Sequence, residues 1–138
     1  MKNIFIDFGE NAGKIWNALN EQGPLTETKL TRTTKLNDDE FYNAIGWLAR
    51  ENKIYTTKSG DSFIYSLGAT NLTSKIGSNA GKIWKTLHTY GENDIRSISQ
   101  LTTLNRKDVE AAIGWLARED KIQVKHENRE TKFYLNGK

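Results

Sequence analysis

The sequence predicts a mainly α fold with small β-hairpins (α+β), built as one unit written twice. Three observations carry this reading: a block of residues recurs at a fixed offset, apolar residues within each block first follow a helical period, and the period then becomes an alternation. Asn11-Ala12-Gly13-Lys14-Ile15-Trp16 returns 68 residues later as Asn79-Ala80-Gly81-Lys82-Ile83-Trp84, and Ala44–Glu51 returns as Ala112–Glu119. Over residues 11–54, 21 of 44 positions are identical to their counterparts. The lead-ins also correspond, Ile4 with Leu72 and Phe8 with Ile76, which sets domains at 1–68 and 69–138. Only Gly68-Ala69-Thr70-Asn71 is left as a joint, and so short a joint brings the two units into contact.

Ala12, Ile15, Trp16 and Leu19 are spaced i, i+3, i+4, i+7, the stripe of an amphipathic helix, which Gly23-Pro24 ends. Ala80, Ile83, Trp84 and Leu87 repeat it, with Gly91 as the stop. A short polar segment follows, then a brief helix around 27–33 and 95–101, then a tight turn at 34–37 and 102–105. Asn37 and Asn105 suit the N-cap of a third helix. That helix turns Phe41, Ala44, Ile45 and Leu48 inward, and in the second copy Val109, Ala112, Ile113 and Leu116. Alternation then marks a hairpin with its turn at Lys58–Asp61, and a second with a polar turn over His126–Glu130.

Three helices and a hairpin, with a short turn between the last two helices, describe a winged helix-turn-helix, here two in tandem. Gly-Trp-Leu-Ala-Arg-Glu followed by Lys-Ile, at 46–54 and 114–122, resembles the end of the third helix in a small prokaryotic winged-helix family catalogued mainly as a domain of unknown function. The Ala-Gly-Lys-Ile-Trp opening of the first helix resembles it too. The resemblance covers nearly the whole chain. It implies DNA binding only through the wider winged-helix class, because a fold does not fix a function.

Composition narrows the classes. The chain has 138 residues, 36% hydrophobic and 27% charged, with a mean hydropathy of −0.69. It has no cysteine, which excludes disulfides and Cys-ligated zinc, and two histidines far apart, His88 and His126, which disfavour a metal site. The early apolar run Ile4-Phe5-Ile6 is broken by Asp7, too short for a signal segment or a membrane span. A soluble, cytoplasmic protein without membrane attachment or cofactor is expected, and no catalytic constellation emerges. Gly9–Lys14 and Gly77–Lys82 look like phosphate-binding loops but have three residues between the glycines, with Ile15 or Ile83 where a hydroxyl should hold magnesium.

The charge is uneven. Residues 1–68 carry eight Lys and Arg against nine Asp and Glu, net −1, and residues 69–138 carry twelve against eight, net +4. The third helix of a helix-turn-helix usually enters the major groove by its N-terminal residues. Those are Arg106 and Lys107 in the second copy but Asp38, Asp39 and Glu40 in the first, where carboxylates would repel phosphates and instead suit the helix macrodipole. The second wing adds Lys125, His126, Arg129 and Lys132. These six are the candidate contacts to double-stranded DNA, a nucleoid location following if they serve, with Lys75, Lys82, Lys85 and Arg96 as possible extensions of the basic face. The alternative is a non-enzymatic protein-interaction module, by a protein partner or self-association, which the acidic first turn and the modest net charge of +3 favour. The four tryptophans read as core, and mid-helix Gly46 and Gly114 as places where another helix or a ring approaches closely.

Overall fold

A computed structural model describes residues 3–137. The first repeat comprises α1 (Ile4–Gln22), β1 (Leu25–Thr26), α2 (Glu27–Thr34), α3 (Asp38–Arg50), β2 (Ile54–Ser59) and β3 (Ser62–Leu67). The second opens with a π turn (Thr73–Gly77) that runs into α4 (Ser78–Tyr90), followed by α5 (Ile95–Thr102), α6 (Arg106–Arg118), β4 (Ile122–Glu127) and β5 (Glu130–Leu135).

Local chemistry sets the ends of these elements. Gly23 and Gly91 close α1 and α4 with φ of 78° and 79°, a conformation that glycine adopts without strain. Asn37 caps α3 in a reciprocal box: its Oδ1 accepts the Glu40 N–H at 2.8 Å, and Glu40 Oε1 accepts the Asn37 N–H at 3.0 Å. Asn105 caps α6 by accepting the Asp108 N–H at 2.8 Å. Asn37→Ala is expected to cost about 1 kcal/mol in urea denaturation, while Asn37→Asp keeps nearly all of the stability.

The hairpins are longer and their turns tighter than the sequence pattern suggests. The ladders reach Ser59–Ser62 and Glu127–Glu130, leaving only Gly60-Asp61 and Asn128-Arg129 between the strands. Asn128 and Arg129 both have positive φ, the twist that matches a two-residue hairpin turn. In the first repeat β1 pairs with β3, giving the order β1-β3-β2. The second repeat keeps the Asn93–Phe133 bridge at the equivalent place.

The core is one cluster through both repeats. Ile15, Leu30, Phe41, Leu48 and Ile54 fill the first half, and Ile83, Ile98, Val109, Ile113 and Ile122 the second. The joint is pinned: Asn71 Oδ1 accepts the Thr56 N–H and its Nδ2 donates to the Thr56 carbonyl, while Asn52 Oδ1 accepts the Thr70 N–H.

Candidate functional site: the paired third helices

The third helices, the elements from which DNA contact is expected, pack against each other. Gly46 sits on the Ala111 and Trp115 backbone, and Gly114 on that of Asn43. A β-carbon at Gly46 would lie 2.7 Å from the Ala111 carbonyl carbon and closer still to its oxygen, and one at Gly114 would meet the Asn43 carbonyl the same way. Glycine in both copies is what lets the two backbones touch.

Paired positions ascend together, Asp39 with Arg106, Asn43 with Gly114 and Arg50 with Glu119, so α3 and α6 run side by side in the same sense about a pseudo-twofold axis. Reciprocal ion pairs close the C-terminal end. Arg50 Nε donates to Glu119 at 3.1 Å and Arg118 Nε to Glu51 at 3.0 Å, and each guanidinium lies over the tryptophan of the other helix, Trp115 or Trp47.

At the N-terminal end the charge difference between the repeats becomes complementarity. Arg106 grips Asp39 with two hydrogen bonds, 3.0 Å from Nε and 2.7 Å from Nη2. This bond holds the Asp39 carboxyl below its ordinary range and raises the Arg106 guanidinium. Same-sense packing also brings two positive helix ends together, which acidic residues offset. Glu110, one turn on, is buried 3.8 Å from Arg106. Burial first, then its hydrogen bond to Asp39, pushes the Glu110 carboxyl up to about 8.

The six predicted DNA contacts are therefore in unlike situations. Arg106 is held by Asp39. Lys107 Nζ lies 4.0 Å from Glu27 and over the Tyr42 and Phe63 rings at 5.0 and 5.2 Å. Lys125 pairs with Glu92 at 2.7 Å, which raises its ammonium, and Lys132 lies 3.7 Å from Glu130. The His126 ring bonds the Thr131 hydroxyl at 2.9 Å. Arg129, exposed at the tip of the wing, has no ion pair among the described residues. Of the possible extensions, Lys75 pairs with Asp108, whereas Lys82, Lys85 and Arg96 are exposed.

Residues 43–49 of α3 are buried throughout, as are 109–117 of α6 except for half-buried Trp115. A major groove roughly 12 Å wide takes a helix with a free outer face. Beyond their first turns neither helix has one in this arrangement. The tryptophans also divide. Trp47 is core, but Trp16 and Trp84 are each 36% exposed, correcting the reading of all four as core. They border equivalent grooves beside Gly13 and Gly81, and the Trp84 ring stacks on His88 at 4.9 Å.

Among the described residues no group of three or more His, Asp or Glu side chains is placed to hold a metal ion, and no helix is long and apolar enough to cross a membrane. A family model described as a winged helix-turn-helix domain (DUF2582) matches residues 1–67 and again 72–135. The chain belongs to this family. DUF2582 membership thus applies to both repeats, in a mainly helical α+β fold of two tandem winged helices. An uncharacterized protein of Methanocaldococcus jannaschii is 45% identical over 60 residues, covering 39% of this chain and 80% of that protein, a match that fits one repeat. No solved structure matches. Winged-helix domains commonly bind DNA, and none of these matches carries a more specific activity.

Proposed function

We propose that this chain is a non-enzymatic protein-interaction module made of two winged-helix units, 1–68 and 69–138, with the third helices serving as its internal seam. The observation that supports this is the burial of both third helices against each other, which leaves neither third helix a free outer face beyond its first turn. The pseudo-twofold axis also places Trp16 and Trp84 beside equivalent grooves, each the kind of partly exposed aromatic that anchors protein contacts.

A second reading is double-stranded DNA, contacted mainly by the second repeat. The net charge of +4 over residues 69–138 and Arg129, which has no ion pair among the described residues, favour it. In this reading Arg129 meets phosphate directly, and Arg106, Lys107, Lys125 and Lys132 exchange their carboxylate partners for phosphates.

Fluorescence anisotropy with a random-sequence duplex separates the two. The module reading expects no binding at about 50 mM salt, together with a stoichiometric protein partner that survives nuclease treatment and is lost in Trp16→Ala/Trp84→Ala. Binding that falls about a thousandfold between roughly 50 and 200 mM salt, and weakens in Arg129→Glu, would instead establish the DNA reading.

A further inference from the structure

The pseudo-twofold axis generates two equivalent clefts, one on each side of the α3–α6 seam, and the repeats have diverged in them. On one side the space is nearly filled, leaving a cavity of about 80 Å³. There the Tyr42 and Tyr65 hydroxyls donate to the two oxygens of Glu27 at 2.6 and 2.7 Å, Phe63 packs under the Lys107 ammonium, and Lys75 lies 3.5 Å from Asp108. On the other side the cleft holds about 460 Å³, the size of a small-molecule site.

The residues that differ explain the difference. At the 68-residue offset the counterpart of Phe63 is Thr131, that of Tyr42 is Glu110, that of Ala111 is Asn43 and that of Lys75 is Asp7. Two rings are gone, which makes room. The counterpart of Asp108 is Glu40, so where the filled cleft sets an ammonium against a carboxylate, the open one is lined by two carboxylates, Asp7 and Glu40. Glu10 adds to them against Lys14, while Asp39 and Arg106 engage each other and Glu110 lies deeper in the cleft.

Inside the cleft Asn43 is 7% exposed and its Oδ1 has no hydrogen-bond partner. A buried carbonyl oxygen of this kind calls for a donor. Ile4, Phe8, Val124 and Phe133 supply an apolar wall. We propose that the open cleft binds a small organic cation, an amine on an apolar body, with its N–H groups donating to Asn43 Oδ1 and to the carboxyl groups of Glu110, Asp7 and Glu40. In this arrangement the ligand's nitrogen plays the part that Lys75 plays in the filled cleft. Glu110, held largely protonated by burial at neutral pH, regains its charge next to such a cation.

Calorimetric titration of the full chain with phenethylamine, with spermidine and with phenylacetate tests this. At least one amine is expected to bind one to one and to raise the melting temperature, while phenylacetate does neither. Asp7→Lys, which builds in the ammonium of the filled cleft, and Thr131→Phe/Glu110→Tyr, which installs its rings, are each expected to weaken amine binding by at least about tenfold. Failure of both amines to bind, equal binding of phenylacetate, or amine binding unchanged in Asp7→Lys would overturn the proposal. Asp7 is only half-buried at the rim, so Asp7→Lys decides the matter if the double variant does not fold.

Discussion

Gly46→Ala is expected to lower the unfolding free energy by about 3 kcal/mol, the upper end for an added methylene in a packed core, and Gly114→Ala by a similar amount. The added carbon meets backbone on both sides of the seam, Ala111 and Trp115 in one case and Asn43 in the other, and backbone cannot rotate away as a flexible side chain could. Relief requires the helices to part, which also breaks the Arg50–Glu119 and Arg118–Glu51 pairs. Gly13→Ala is the control. It too lies within a helix, but its added carbon has nothing within 4 Å, so the better helix propensity of alanine stabilises the protein by roughly 0.5–1 kcal/mol. Urea denaturation of the three variants separates close approach from propensity, and equal effects at Gly13 and Gly46 would remove the tight seam.

The second large effect concerns pH. Glu110 has a folded-state value of about 8 against an ordinary 4.5, so the folded protein keeps a proton that the unfolded chain releases. Its contribution is neutral below the lower value, grows more unfavourable as pH rises between the two, and levels off above the higher one. Glu110→Gln removes that loss and is expected to stabilise the protein by about 2 kcal/mol at pH 9 while changing little at pH 4. Asp39 acts in the opposite sense. Its lowered carboxyl adds stability that is present above the ordinary carboxylate range and is lost on acidification. Thermal melts of the native protein and Glu110→Gln across pH 4–9 read both slopes, and parallel curves would remove Glu110 as their source.

Much of the fold was legible because each element is signalled locally. The Ala12–Leu19 stripe, the Asn37 and Asn105 caps and the two alternating hairpins all correspond to elements that formed. β1 was not, since two residues carry no period of their own and pair only because β3 lies beside them. Gly46 and Gly114 signalled a close approach, but a glycine does not name what approaches it. The sharpest limit came from Arg106 and Lys107. In sequence an exposed cation on a third helix looks the same whether its anion is a phosphate or a carboxylate 67 residues away. Trp16 and Trp84 lie on an apolar stripe, which gives a face of the helix but not the depth of its cover. The open cleft had a signal that the repeat pattern obscures. Identities locate the shared scaffold, whereas Asp7 against Lys75, Glu110 against Tyr42 and Thr131 against Phe63 locate the departure from it.

The short joint between the repeats, tied down at Thr70 and Asn71, has a consequence for assembly. Two separate chains meeting through the same helices would associate by mass action and come apart on dilution. Here each half meets its partner as a tethered neighbour, at a local concentration set by a few residues of chain and independent of how much protein a cell contains. Every molecule carries one of each half, so the tether favours the pairing of unlike halves over that of identical ones. A mutation in one half therefore changes one side of the seam, a freedom that an assembly of identical chains lacks.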